Sequence, residues 1–120
     1  MTRPQPLWTF TFPPIYRLNS AMKHFLITSE FLKPFEQFGD VVPQHRAYLQ
    51  TWYDRGAVLC SGPRADKKGG VIWARAEAVA KIDELLAGDP YQRLGLARYS
   101  VVEFVPAKRQ ALLDGWVEGR

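Results

Sequence analysis

The chain is poor in the residues that build covalent and metal-based frameworks, with one cysteine and two histidines among 120 residues. A lone Cys60 can form no intrachain disulfide, which points to a reducing compartment and a cytoplasmic location. Zinc sites built on several cysteines are excluded for the same reason. His24 and His45 stand 21 positions apart, without the HxH or HxxxH spacing that sets two imidazoles on one strand or helix face, so no metal is expected. Long apolar runs are missing too. No stretch reaches the roughly 18 apolar residues of a membrane span. The apolar residues of positions 1–21 are broken by threonines and Pro13-Pro14, unlike a signal peptide. Lys67-Lys68-Gly69-Gly70 lacks the GxxxxGK[ST] spacing of a phosphate loop and joins two strands instead of entering a helix. No cofactor is expected.

Charge of one sign is also scarce once its position is considered. The net charge is +4, but residues 1–21 carry Arg3 and Arg17 with no acid, and residues 106–120 carry three bases against two acids. Residues 22–105 hold 11 bases and 10 acids. A nearly neutral body with dispersed charge does not match the basic stripe that nucleic acid requires, so neither nucleic acid nor membrane is expected as a partner.

What is present is enough for one core, because single domains commonly run to about 100–150 residues. The hydrophobic fraction of 47% is that of a folding protein. Three segments follow: an N-terminal extension at 1–21 with four prolines, a compact α+β domain at 22–106, and a tail at 107–120. Trp8 to Phe12 alternates like a short strand, and the tail has helical spacing at Leu112, Leu113 and Trp116 over Ala107–Val117.

Within the domain the periodicity predicts a strand at His24–Thr28 and a helix at Val42–Arg55, with Pro43 in its first turn and Gly56 as its stop. A hairpin of strands at Ala57–Ser61 and Val71–Ala74 follows, then a helix at Glu77–Ala87, a short helix opened by Asp89-Pro90, and a strand at Tyr99–Val105. The order is β-α-β-β-α-β, the ferredoxin-like arrangement, with two right-handed crossovers. Two helices cover one face of such a sheet. Large residues of both strand parities, such as Phe25 and Leu26, require that the other face be buried as well, and a homodimer is the simplest cover.

The residues that carry chemistry are few. His45 is in line with Leu49 and Trp52 on the apolar side of its helix. A lone inward histidine is commonly a satisfied core residue, but the imidazole is also the usual general acid–base near neutral pH. Asp89 before Pro90 is a natural helix cap, and a carboxylate there can also accept a hydrogen bond from an imidazole and fix its tautomer. Because the two helices run antiparallel in this topology, the first turn of one approaches the end of the other, which brings His45 and Asp89 to one end of the layer. Ser61, Gly62 and Pro63 end a strand where a backbone N–H or hydroxyl can face a ligand; the alternative is an ordinary turn. Trp52, Tyr53 and Trp73 are core or interface aromatics, or line a pocket for a small aromatic or apolar substrate. Arg46, turned about 100° from His45 on the helix, is expected in solvent. Cys60 is expected as a small buried residue.

Taken together, Met22-Lys23-His24-Phe25, Pro43-Gln44-His45-Arg46-Ala47-Tyr48-Leu49, Ser61-Gly62-Pro63 and Asp89-Pro90-Tyr91 resemble the pattern of the YCII-related proteins over about 85 residues, Met22 to Pro106. The resemblance implies a ferredoxin-like subunit that pairs as a dimeric α/β barrel, with His45 and Asp89 as the family's pocket His and Asp. Ser61, Gly62, Pro63, Trp52 and Tyr91 then fall on the substrate side. Tyr91 stands where the family often has Phe. A relative of known activity is a cofactor-independent dehydrochlorinase of a chlorinated hydroxyquinol. The expected function is therefore a cofactor-independent lyase, isomerase or dehydrochlorinase-like enzyme with a His–Asp acid–base pair. The alternative is a non-catalytic metabolite-binding or interaction module on the same scaffold.

Overall fold

The computed structural model describes residues 22–120, so the strand-like arm expected around Trp8–Phe12 lies outside the described residues. The elements are β1 (Lys23–Phe31), α1 (Val41–Asp54), β2 (Val58–Pro63), β3 (Gly70–Ala76), α2 (Val79–Gly88), α3 (Pro90–Arg93), β4 (Ala97–Phe104) and α4 (Asp114–Val117), with 3-10 turns at Phe35–Gln37 and Ala111–Leu113. The four strands form one sheet in the order β2-β3-β1-β4, every neighbouring pair antiparallel. This is the α+β, ferredoxin-like arrangement.

β1 runs three residues past its expected end at Thr28, and the reason is its central position. Ser29, Glu30 and Phe31 pair with Tyr99, Arg98 and Ala97 of β4, so the backbone of the extension is hydrogen-bonded whatever its side chains prefer. Along β1, Phe25, Ile27 and Ser29 are buried while Leu26, Thr28 and Glu30 are exposed, the period of two that separates the faces of a sheet.

α1 has Pro43 in its first turn, and Gly56 ends it in the left-handed region at φ 74°. There the Gly56 N–H donates to the Tyr53 carbonyl at 2.9 Å and the Ala57 N–H to that of Trp52 at 2.9 Å. Orphan carbonyls at the helix end are satisfied in this way, and glycine adopts the required φ without strain. α2 begins at Val79, two residues after its expected start, and buries Ile82, Leu85 and Leu86.

The main core lies between the two helices and the sheet, where Phe25, Ile27, Ile72 and Ala74 meet Trp52, Ile82, Leu85 and Leu86. Tyr48 fastens the helix pair, its hydroxyl donating to the Leu85 carbonyl at 2.6 Å. A second cluster of Phe38, Tyr91, Leu96 and Ala97 closes the end of the layer where α3 sits. That end holds the candidate site.

Two expectations change. Cys60 is exposed: β2 is an edge strand, and an irregularity between Val58 and Cys60 sets Cys60 opposite Trp73, on the side of the sheet away from the helices. The tail is not helical from Ala107. Gln110 is extended, and helical turns begin only at Ala111. Arg109 accounts for this, because its guanidinium donates to the Pro106 carbonyl at 3.0 Å and to Asp114 at 2.9 Å, folding the segment into a hydrogen-bonded turn.

The tail also answers part of the burial question at the second sheet face. Trp116 lies 5.2 Å from His24 and 5.7 Å from Trp73, ring centre to ring centre, and the Arg75 guanidinium sits 4.6 Å over its ring. One end of the outer face is therefore covered by the chain itself. On the remainder of that face Leu26 is 39% and Val102 59% exposed.

Candidate active site

Asp89 is the hub of the site. It caps α3, where its Oδ1 accepts the Tyr91 N–H at 3.1 Å and Pro90 occupies the first helical position, so the local sequence Asp-Pro fixes its backbone. Its carboxylate is 2% exposed and would be costly to bury alone. Three donors compensate: the Tyr91 N–H, the His45 imidazole with Nδ1 2.7 Å from Oδ1, and the Tyr99 hydroxyl, which donates to Oδ2. A carboxylate oxygen in this bond accepts, so Nδ1 of His45 carries the proton, and in the neutral imidazole the lone pair is then on Nε2.

His45 comes from the first turns of α1 and Asp89 from the stop of α2, 44 positions later. The Tyr91 ring stacks on the imidazole, with centres 3.9 Å apart and planes 4° from parallel. Hydrogen bond and stack together fix both the tilt and the rotation of the ring. Among the described residues Nε2 has no hydrogen-bond partner.

The imidazole borders a cavity of about 240 Å³. Its walls come from α1 (His45, Arg46, Leu49), the end of β2 (Ser61, Gly62, Pro63), Gly69 and the start of β3 that follows it, and Ser29, Phe31, Phe35, Tyr91 and Tyr99. Burial holds the Tyr91 phenol above its ordinary range, opposed by the positive charge of Arg46. The Tyr99 phenol is pushed up much further, first by burial and then by the adjacent Asp89 charge, so it remains a donor throughout the physiological range. Ser29, 6% exposed, accepts the Gly70 N–H on its hydroxyl at 2.8 Å, and that hydroxyl keeps a proton to offer. Among the described residues no group of three or more His, Cys, Asp or Glu is placed to hold a metal ion.

Most of the residues expected at a site are brought together. His45, Ser61, Gly62, Pro63 and Tyr91 line the cavity and Asp89 stands directly behind His45. Trp52 does not line it; it is 8% exposed in the main core, one turn past Leu49, where α1 has already passed over the sheet. Trp73 lies on the opposite face, against His24, Phe104 and Trp116. Tyr53 holds the cavity rim instead, its hydroxyl 2.6 Å from the Ser61 Oγ. Arg46, expected in solvent, is exposed but borders the cavity. Sequence reasoning missed Tyr99 and Ser29. The only available signal was strand parity: Tyr99 has the parity of Val101, and Ser29 that of Phe25 and Ile27, which face the helices.

The fold and this part-buried pair define a small ferredoxin-like α+β protein with a hydrogen-bonded His–Asp pair at one end of its helix layer. Residues 22–105 match the family model of the YCII-related domain, and the chain belongs to that family. Its fold is that of 5-chloro-2-hydroxyhydroquinone dehydrochlorinase from Burkholderia phenoliruptrix AC1100, solved in complex with 2,5-dihydroxybenzoquinone. The two share 22% identity at a TM-score of 0.57, over 68% of this chain and 92% of that one. No curated protein matches the sequence significantly.

Proposed function

We propose that the protein is a small cofactor-independent enzyme of the lyase, isomerase or dehydrochlorinase-like kind, in which His45 moves a proton and Asp89 orients it. The observation that carries this reading is the His45 imidazole itself. It is held at Nδ1 by a buried carboxylate and clamped by the Tyr91 ring, and it borders a cavity. A core histidine needs no such fixing of one tautomer beside open space, whereas a general base needs its free nitrogen aimed at the substrate.

The cavity supports a small substrate with an aromatic or otherwise apolar body. Phe31, Phe35, Leu49, Pro63 and Tyr91 supply apolar walls, and its volume is below that of drug-sized pockets. Among the described residues, Arg46 and His45 are the only ones bordering it whose side chains can carry positive charge, and no acid borders it directly. That balance favours a ring bearing an acidic oxygen, the kind of group on which proton removal leaves charge needing a cation. The fold neighbour, a dehydrochlorinase holding a dihydroxybenzoquinone, is consistent with such a substrate.

The working form proposed is a homodimer, pairing through the outer sheet face that the tail leaves open around Leu26 and Val102. Turnover of phenols, lactones and halogenated hydroxy-aromatics by the purified protein, with and without EDTA, is the test. Turnover that disappears in His45→Gln supports the enzyme reading. Binding of the same compounds without turnover, unchanged in that variant, would leave a metabolite-binding module.

A further inference from the structure

Three donors converge on Asp89, but only two belong to its own neighbourhood in the sequence or to the proposed dyad. The third is the Tyr99 hydroxyl, delivered by β4 from the sheet beneath. We propose that Tyr99 is a positioning residue, which holds the Asp89 carboxylate by Oδ2 so that Oδ1 faces His45. The proposal rests on the acid–base reading of His45 and concerns how that pair is set.

The geometry assigns the two carboxylate oxygens different tasks. Oδ1 accepts from the Tyr91 N–H and from His45 Nδ1, while among the described residues Oδ2 accepts only from Tyr99. In a side chain 2% exposed, an Oδ2 without that donor would be a buried, unpaired anionic oxygen. The carboxylate could relieve it only by turning Oδ1 away from the imidazole or by taking up a proton. The first change removes, and the second weakens, the acceptor that keeps the His45 proton on Nδ1.

Tyr99 is well anchored for the task. Its ring packs against both hydrophobic clusters, and its backbone on β4 pairs with Ser29 of the inner strand β1. Tyr99 borders the cavity while its hydroxyl is committed to Asp89. A hydroxyl donating to a carboxylate is also among the stronger kinds of hydrogen bond. It draws charge from the carboxylate and so moderates the pull of Asp89 on the His45 proton.

The test is Tyr99→Phe, which keeps the ring and removes the hydroxyl, followed by the proton NMR resonance of His45 Nδ1–H in the ligand-free protein. Loss of the donor is expected to shift that resonance, because the acceptor it reports has changed basicity and orientation. Substitution of Tyr99 alone by a fluorinated tyrosine, a stronger donor on the same ring, should shift it in the opposite direction. That substitution also decides the matter if Tyr99→Phe does not fold. With any substrate the enzyme turns over, kcat should fall about 10- to 100-fold with KM nearly unchanged, the range one hydrogen bond to a charged group can carry. A resonance unmoved in the fluorinated protein would overturn the proposal and leave Tyr99 as core packing. Because the resonance is read without substrate, that result is distinct from failure of the enzyme reading, which would show as turnover surviving in His45→Gln.

Discussion

The His45 imidazole and the Tyr91 ring lie 3.9 Å apart and 4° from parallel, so the second residue of the short helix that Asp89 opens is also the plate against which the dyad's histidine rests. One dipeptide, Pro90-Tyr91, thus supports both partners. Tyr91 contributes its N–H to the carboxylate and its ring to the imidazole. Tyr91→Phe keeps both contacts and should retain near-native activity and stability. Tyr91→Ala keeps only the N–H, and loss of a 5% exposed aromatic should cost about 3–5 kcal/mol in urea unfolding together with most turnover. Equal losses in the two variants would mean that the phenolic oxygen, and not the stack, matters.

Asp89 combines a cap with a charge, and one substitution separates them. Asn caps as well as Asp, so Asp89→Asn should lower stability only modestly. It replaces a pure acceptor by a group that is half donor, which sets the His45 tautomer wrongly. Turnover should fall by about 10²–10⁴-fold, the range of a lost acid–base contribution. Asp89→Ala should lose the cap as well and unfold at clearly lower urea. Full activity in Asp89→Asn would exclude the dyad.

His24 gives a pH dependence of stability that is independent of the site. It is 1% exposed, its Nε2–H donates to the Val117 carbonyl at 3.0 Å, and its Nδ1 accepts the Trp73 indole N–H at 3.3 Å. Both nitrogens are therefore satisfied only in the neutral form. Burial, and secondarily the positive charges of Arg75 and Arg109, hold its pKa below the ordinary histidine value of 6.5, against the opposing bond to Val117. Below pH 6.5 the unfolded chain takes up a proton that the native chain refuses. This contribution to stability is thus complete above that pH and declines as pH falls toward the folded value, with a slope of at most about 1.4 kcal/mol per pH unit. Urea midpoints measured from pH 7.5 to 5 should show the decline, and His24→Gln should flatten it.

Gly69 marks where the β2–β3 hairpin docks on β1. A Cβ there would clash with the Ser29 carbonyl oxygen, which is backbone and already accepts from Arg64 at 3.2 Å. Gly69→Ala should therefore destabilise by about 1–3 kcal/mol and distort the cavity wall, whereas Gly62→Ala, with open space at its Cβ, should be mild. Thermal unfolding of the two variants side by side checks this.

The proposed dimer has a direct reading in sedimentation. With Leu26 and Val102 exposed on the uncovered part of the outer sheet face, the wild-type chain should sediment as a dimer at micromolar concentration. Placing a charge there in Val102→Asp should shift it toward monomer without unfolding it. A wild-type monomer would show that the tail's partial cover suffices.

Sequence alone determined the order and type of the elements of the domain, because each carries its own signal. Period-two apolar runs mark the strands, Pro43 opens α1 and Gly56 closes it, and Asp89-Pro90 opens α3. The same local rules placed His45 on an inward helix face and Asp89 at a cap, and the antiparallel course of the two helices set them at one end of the layer. Tertiary structure alone decided the rest. The length of β1 depends on pairing with β4, which no local propensity encodes. The course of the tail depends on Arg109 reaching Pro106 and Asp114 in place of helix bonds, and its cover of the outer face depends on Trp116 finding His24 and Trp73. Trp52, expected on the substrate side, lies in the core, and Tyr99, for which no site role was expected, borders the cavity for the same reason. Which of two inward-facing aromatics reaches the cavity is a matter of where each lies along its helix or strand relative to the end of the layer. That distance exists only once the helices are laid across the sheet.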